Sequence, residues 1–190
     1  MAQPTDSWMA YDYAVVDVEG NGQQPPDLVE VSIIAIKDAL IGQARTWLVC
    51  PPRPITPMAR RFHRITDDEL VDAPTAADID AELRRALSDK VFVAHNASVD
   101  LGVLGRELPG FQPAHVLDTL KLARRLLPGR ASYKLGALVD AFGLAEDLPA
   151  DLMPHRATYD ALVCAPPLPS GDVCRPRAAH TRRTHGCHSP

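Results

Sequence analysis

The sequence predicts a mixed α/β fold: one five-stranded sheet flanked by helices, opening with an antiparallel meander. Three observations carry that expectation. Three stretches of β character come first, separated by Gly, Pro, Asn and Asp. Short apolar runs then alternate with stretches of helical period. The chain has 190 residues, 46% of them apolar, which suits one sizeable core.

The first strand is expected over 13–18, with Ala14, Val15 and Val16 as its apolar centre. The loop GNGQQPPD ends it, with Gly and Pro as punctuation. A second strand covers 28–36 and includes VEVSIIAI. A hairpin turn over 39–42 leads to a third strand at 44–49. PPRPITP reads as an extended connector, because proline removes a backbone donor and restricts the residue before it. Thr66 followed by Glu69 has the spacing of a capping box for a short helix. A longer helix at 77–87 places Ile79, Leu83 and Leu87 on one face. A short buried strand at 91–94, a helix at 100–108 and a strand at 116–118 follow. Helices at 120–127 and 133–142 stop at Pro128-Gly129 and Gly143. A last helix begins at His155 and is truncated by Pro166 and Pro167 to about two turns.

Twenty basic and 24 acidic side chains leave a formal charge of −4. No global positive field draws in a polyanion, so any contact with nucleic acid must be local or carried by metal. No apolar run is long enough to span a bilayer. Asp6 and Asp12 interrupt the N-terminus before a signal-type apolar core forms, so a cytoplasmic protein with no membrane partner is expected. Cys50, Cys164, Cys174 and Cys187 match no zinc or redox spacing.

The chemistry gathers at the ends of apolar segments. YDYAVVDVEG finishes with Asp17 and Glu19 one residue apart. In a strand, residues i and i+2 share a face, so both carboxylates can enter one small volume. VFVAHNASVD runs from a buried strand through His95 and Asn96 to Asp100. VLDT puts Asp118 at the end of another apolar run. HRATYDA carries His155 and Asp160 at a loop-to-helix junction, both within reach of one site though not on one helical stripe. Any one of these acids could be a helix cap or a solvated strand end. Asp17, Glu19, Asp100 and Asp160 clustered without cations would suffer repulsion and desolvation. Mg²⁺ accepts carboxylate ligands. Two such ions about 4 Å apart clamp the attacking and leaving oxygens of a phosphoryl transfer. His155 would then deprotonate the attacking water.

In this order, the motifs resemble those of the DEDDh 3′→5′ exonucleases, the group of proofreading subunits, ribonuclease T and oligoribonuclease. VVDVEG resembles the first motif, HNASVD the second, and HRATYDA the third, H-x(4)-D. FHRIT and VLDT also have counterparts there, and the likeness spans roughly 13–165. The resemblance implies a ribonuclease H-like fold and removal of nucleoside 5′-monophosphates from single-stranded DNA or RNA 3′ ends. It implies two Mg²⁺ or Mn²⁺ ions: Asp17 on both, Glu19 on one, Asp100 on the second and Asp160 on the catalytic ion. His155 would be the general base. The backbone of Val18 and Glu19, with Gly20, would lie by the terminal nucleotide. His95 and Asn96 would support the second motif or meet substrate. Family members include dimers and polymerase partners, and the sequence leaves both open.

Two positions depart from the family pattern. Gly20 stands where a Thr or Ser is common, and Val99 where a Phe is common. Neither is a proposed ligand, so both bear on substrate preference. Arg60, Arg61 and Arg64 beside Phe62 form a local basic patch that suits either a phosphate backbone or plain solvent. Arg124, Arg125 and Arg130 form a weaker one. The residues also admit two other readings: a nucleic-acid-binding domain of weak activity, or another metal-dependent phosphodiesterase.

The predicted domain is 1–165. Over 166–190 the apolar periodicity stops, and five of the 18 prolines and three of the seven histidines crowd together. This Pro/Arg/His-rich tail is expected to be disordered or the product of a frame shift. Without its four arginines and one aspartate, the rest of the chain carries 16 basic and 23 acidic side chains, a balance of −7.

Overall fold

The computed structural model describes residues 10–165. The expectations for the 166–190 tail lie outside those residues. Five strands form one sheet: β1 (Tyr13–Gly20), β2 (Leu28–Lys37), β3 (Leu40–Leu48), β4 (Val91–Ala94) and β5 (Val116–Asp118), in the order β3-β2-β1-β4-β5. The first three run as an antiparallel meander, while β4 and β5 add in parallel beside β1. The helices among the described residues are α1 (Pro57–His63), α2 (Asp67–Leu70), α3 (Ala76–Leu87), α4 (Ser98–Glu107), α5 (Thr119–Leu126), α6 (Leu135–Phe142) and α7 (Ala157–Cys164). None is long and apolar enough to cross a membrane.

Strand alternation divides the core. Ala14 and Val16 of β1 share one face with Val31, Ile33 and Phe92, under Ile79, Leu83 and Leu87 of α3 and Val103 and Leu104 of α4. Tyr13 and Val15 share the other with Ile34, Ile36 and Val93, under Ala161 and Cys164 of α7. Parity then carries Asp17 and Glu19 onto the α7 face. Their direct partners on β2 are Ser32 and Glu30. The face under α7 is therefore apolar along one half and polar along the other. A third cluster of Val29, Ile55, Ile65 and Leu70 seats α1 and α2 against the meander.

The structure moves several expected boundaries. The hairpin between β2 and β3 is a two-residue turn at Asp38 and Ala39, both with left-handed φ (49° and 60°), so β3 starts at Leu40 rather than 44. Such turns match the twist of antiparallel strands. The connector after β3 does not stay extended through Pro57. Thr56 accepts from the Ala59 N–H at 3.2 Å, and Pro57 opens α1, where its missing donor costs nothing. The capping box at Thr66 and Glu69 forms as expected, and Thr75 with Asp78 makes a second one on α3. α6 starts at Leu135, because Tyr133 is engaged elsewhere: its hydroxyl donates to the Leu127 carbonyl at 2.7 Å. α7 starts at Ala157 rather than His155, whose φ of 62° cannot belong to a right-handed helix. Ala165 is extended, as a residue before proline must be, and α7 stays at eight residues.

Candidate active site

β1, α4 and α7 bring the acids together at one end of the sheet. Asp17 and Glu19 extend the α7 face of β1, and Asp160 comes down from the first turn of α7. One carboxylate oxygen from each lies within 4.8 Å of the others. Asp100, in the first turn of α4 and 4% exposed, approaches from the opposite layer. Its Oδ1 accepts from the N–H of Val18 at 3.2 Å, which ties it to the strand between the two paired acids.

The electrostatics are those of an uncompensated anionic cluster. Burial, then repulsion from Asp100, Asp160 and Glu19, holds the Asp17 carboxyl well above its ordinary range. Burial and the charge of Asp160 push Glu19 up to about 8, against a lowering influence from Arg156. Burial raises Asp100 to about 7, although its backbone hydrogen bonds oppose the rise. Asp160 is raised by burial and lowered by His155. Desolvated carboxylates that repel one another are a hard-oxygen donor set, and they fit a divalent cation such as Mg²⁺ or Mn²⁺.

His155 stands at the rim, exposed, two residues before α7. Its ring meets the edge of Phe62 with centroids 5.8 Å apart and planes at 74°. The FHRIT segment thus reaches the third motif through α1, and Arg64 adds a 3.5 Å contact to the Met153 sulfur. His63 is buried. Its Nδ1 accepts from the Ile65 N–H at 3.0 Å, while Nε2 turns toward the Gly20 main chain without hydrogen-bond geometry.

The remaining sequence candidates take distinct places. His95 faces the protein, with Nδ1 3.0 Å from the Thr119 hydroxyl and Nε2 3.0 Å from the Tyr133 carbonyl. Asn96 is exposed with φ 68°, and its N–H donates to Asp118 at 3.3 Å. Asp118 is the N-cap of α5, accepting from Leu120 and Lys121. Gly20 follows a bulge at the end of β1. A Cβ there would lie 3.0 Å from Cβ of Pro26, so a side chain at this position requires Pro26 to give way by a few tenths of an ångström. Asn21 is fully buried behind it and braces the loop through Asp27 and the Arg53 carbonyl.

Glu30 and Arg156 escaped the sequence reading. Glu30 is 1% exposed and is gripped by the Arg156 guanidinium. The available signal was a charge on the α7-facing side of LVEVSIIAI, a position that tolerates an acid only with a partner.

A family model described as an exonuclease of the RNase T type matches residues 14–166. Exodeoxyribonuclease 10 of Escherichia coli K12 is 37% identical over 151 residues, covering 80% of this chain and 64% of that protein. A 3′-5′ exonuclease, DinG, of Staphylococcus haemolyticus is 33% identical over 159 residues, covering 80% of this chain and 17% of its own length. The chain thus spans less than two thirds of these curated relatives. Among solved structures, exonuclease X in complex with 5′ overhanging duplex DNA superposes with a TM-score of 0.67 at 36% identity, covering 80% of this chain and 85% of the other. Sequence match, sheet order and converging acids agree, and the chain belongs to the DEDDh-type 3′→5′ exonuclease family, on a ribonuclease H-like fold.

Proposed function

We propose that the chain is a divalent-metal-dependent 3′→5′ exonuclease that trims DNA ends to nucleoside 5′-monophosphates. The observation that carries this reading is the convergence of Asp17, Glu19 and Asp160 within 4.8 Å, in a place where burial penalises their charge. Asp17, Glu19, Asp100 and Asp160 would hold two Mg²⁺ or Mn²⁺ ions. Bound there, such ions stabilise charge on the attacking and leaving oxygens of a phosphodiester. The protein's part is to hold the donors on rigid elements, two on β1 and one each on α4 and α7. His155, at the open rim, takes the proton of the attacking water. The main chain of Val18, Glu19 and Gly20 would lie by the terminal nucleotide, and His95 and Asn96 would support the segment that carries Asp100. On this reading the four carboxylates and His155 all come from one chain. The DNA preference rests on the exodeoxyribonuclease relative and on the DNA-bound neighbour.

The test uses 5′-labelled strands, single-stranded and recessed, as DNA and as RNA. Each is incubated with Mg²⁺, Mn²⁺ or chelator, beside the Asp17→Asn protein. A ladder shortening from the 3′ end, absent with chelator and in the variant, is expected, with DNA favoured. Binding by folded protein without shortening would assign a nucleic-acid-binding domain instead. Internal cuts would assign another phosphodiesterase.

A further inference from the structure

We propose that Glu30 and Arg156 are positioning residues, which fasten the start of α7 to β2 and so hold His155 and Asp160 against Asp17 and Glu19. The proposal rests on the exonuclease reading given above.

Three donors converge on the Glu30 carboxylate. Arg156 Nε lies 3.1 Å from Oε1 and 3.0 Å from Oε2, and Nη2 also donates to Oε1. The N–H of Ala157 donates to Oε2 at 2.9 Å. All three donors belong to the joint where α7 begins. That helix has no side-chain cap of its own, since Arg156 occupies the N-cap position. Glu30 therefore supplies from 127 positions away what a Ser or Asp normally supplies locally.

The placement says what the joint is for. Glu30 stands directly across β1–β2 from Glu19. Arg156 is the residue after His155, and its carbonyl accepts from the N–H of Asp160 at 3.1 Å. At the second residue of the helix, the Thr158 hydroxyl is 2.7 Å from that of Thr46, which donates to Ser32 at 3.1 Å. Ser32 stands across from Asp17. The first turn of α7 is thus tied, row by row, to the two β2 residues that oppose the paired acids. A buried ion pair is a poor means of stabilising a fold, because apolar replacements of similar volume are often neutral or better. The fork of Arg156 on two oxygens fixes direction, which an apolar contact does not.

The test is the double variant Glu30→Gln, Arg156→Met in the full chain. It leaves no buried charge unpaired and keeps an acceptor for the Ala157 N–H. Thermal unfolding should stay cooperative and near the parent. The kcat on a 5′-labelled strand should fall by roughly 10–100-fold with KM little changed, and Mn²⁺ affinity by calorimetry should fall within the same range. A double variant with parental melting, parental kcat and parental Mn²⁺ affinity would overturn the positioning role. Should the double variant not fold, Arg156→Lys decides. It keeps the charge but not the fork, so a reduced kcat at parental melting temperature supports the proposal and a parental kcat overturns it. The Mn²⁺ titration separates the two readings. A parent that cleaves nothing, with affinity still lost in the double variant, would sink the exonuclease reading and leave the positioning role standing.

Discussion

Replacing Asp100 by asparagine is expected to stabilise the metal-free protein at alkaline pH while destroying its activity. Asp100 is 4% exposed, and its carboxyl is raised to about 7, chiefly by burial. An unfolded aspartate titrates near 4. Between those values the folded state binds the proton and the unfolded state does not, so stability falls as pH rises through that window. Above it the full penalty is present. Three pH units correspond to about 4 kcal/mol as an upper bound. In a domain of this size that is a melting shift on the order of 10 °C. Asp100→Asn keeps an acceptor for the Val18 N–H and removes the charge. In chelator, the parent should lose stability relative to the variant from pH 4 to pH 8, and the two should match near pH 4. Mg²⁺ or Mn²⁺ should raise the parent's melting temperature at pH 8 far more than the variant's. The assay is thermal unfolding across pH, with and without metal. Parallel pH curves for parent and variant in chelator would refute the reasoning.

The other predictions concern separate parts of the molecule. Asp17→Asn should abolish strand shortening and weaken Mn²⁺ binding while circular dichroism stays unchanged. His155→Ala should lower kcat by about 10²–10⁴-fold with Mn²⁺ affinity nearly intact, and full turnover at neutral pH would remove His155 from the base role. Phe92→Ala, at a position 1% exposed between the sheet and α3, should cost about 3–5 kcal/mol in urea unfolding. Thr75→Ala removes one capping box and should cost about 1 kcal/mol.

The sheet was legible because its strands carry their own signals. Ala14-Val15-Val16 and LVEVSIIAIK are apolar enough to declare themselves, and the order of turns implied the meander. Asp17 and Glu19 were legible because they end an apolar run, and Asp100 and Asp160 because of the motifs HNASVD and HRATYDA that carry them. What stayed hidden depends on partners distant in sequence or on backbone conformation. Nothing local marks Asp38 and Ala39 as a left-handed pair, because neither is glycine. Nothing before Pro57 indicates that its connector turns helical, except Thr56 read as a cap. The start of α7 was misplaced because its cap is Glu30, on another element. The partners of His95, the Thr119 hydroxyl and the Tyr133 carbonyl, lie 24 and 38 positions away, so no local pattern announces them. The motif pattern located the chemistry, and only the folded chain shows what braces it.

The joint between Glu30 and Arg156 also sets an order of events during synthesis. The two residues lie 126 positions apart. At roughly 5–20 residues per second, a ribosome leaves Glu30 waiting on the order of ten seconds for its cation. Until α7 emerges, that carboxylate has no reason to leave water, and the polar half of the meander stays wet. Asp160 and His155 arrive in the same late segment. The emerging chain therefore holds Asp17 and Glu19 without their third partner, and the acidic cluster cannot be complete before α7 has been made.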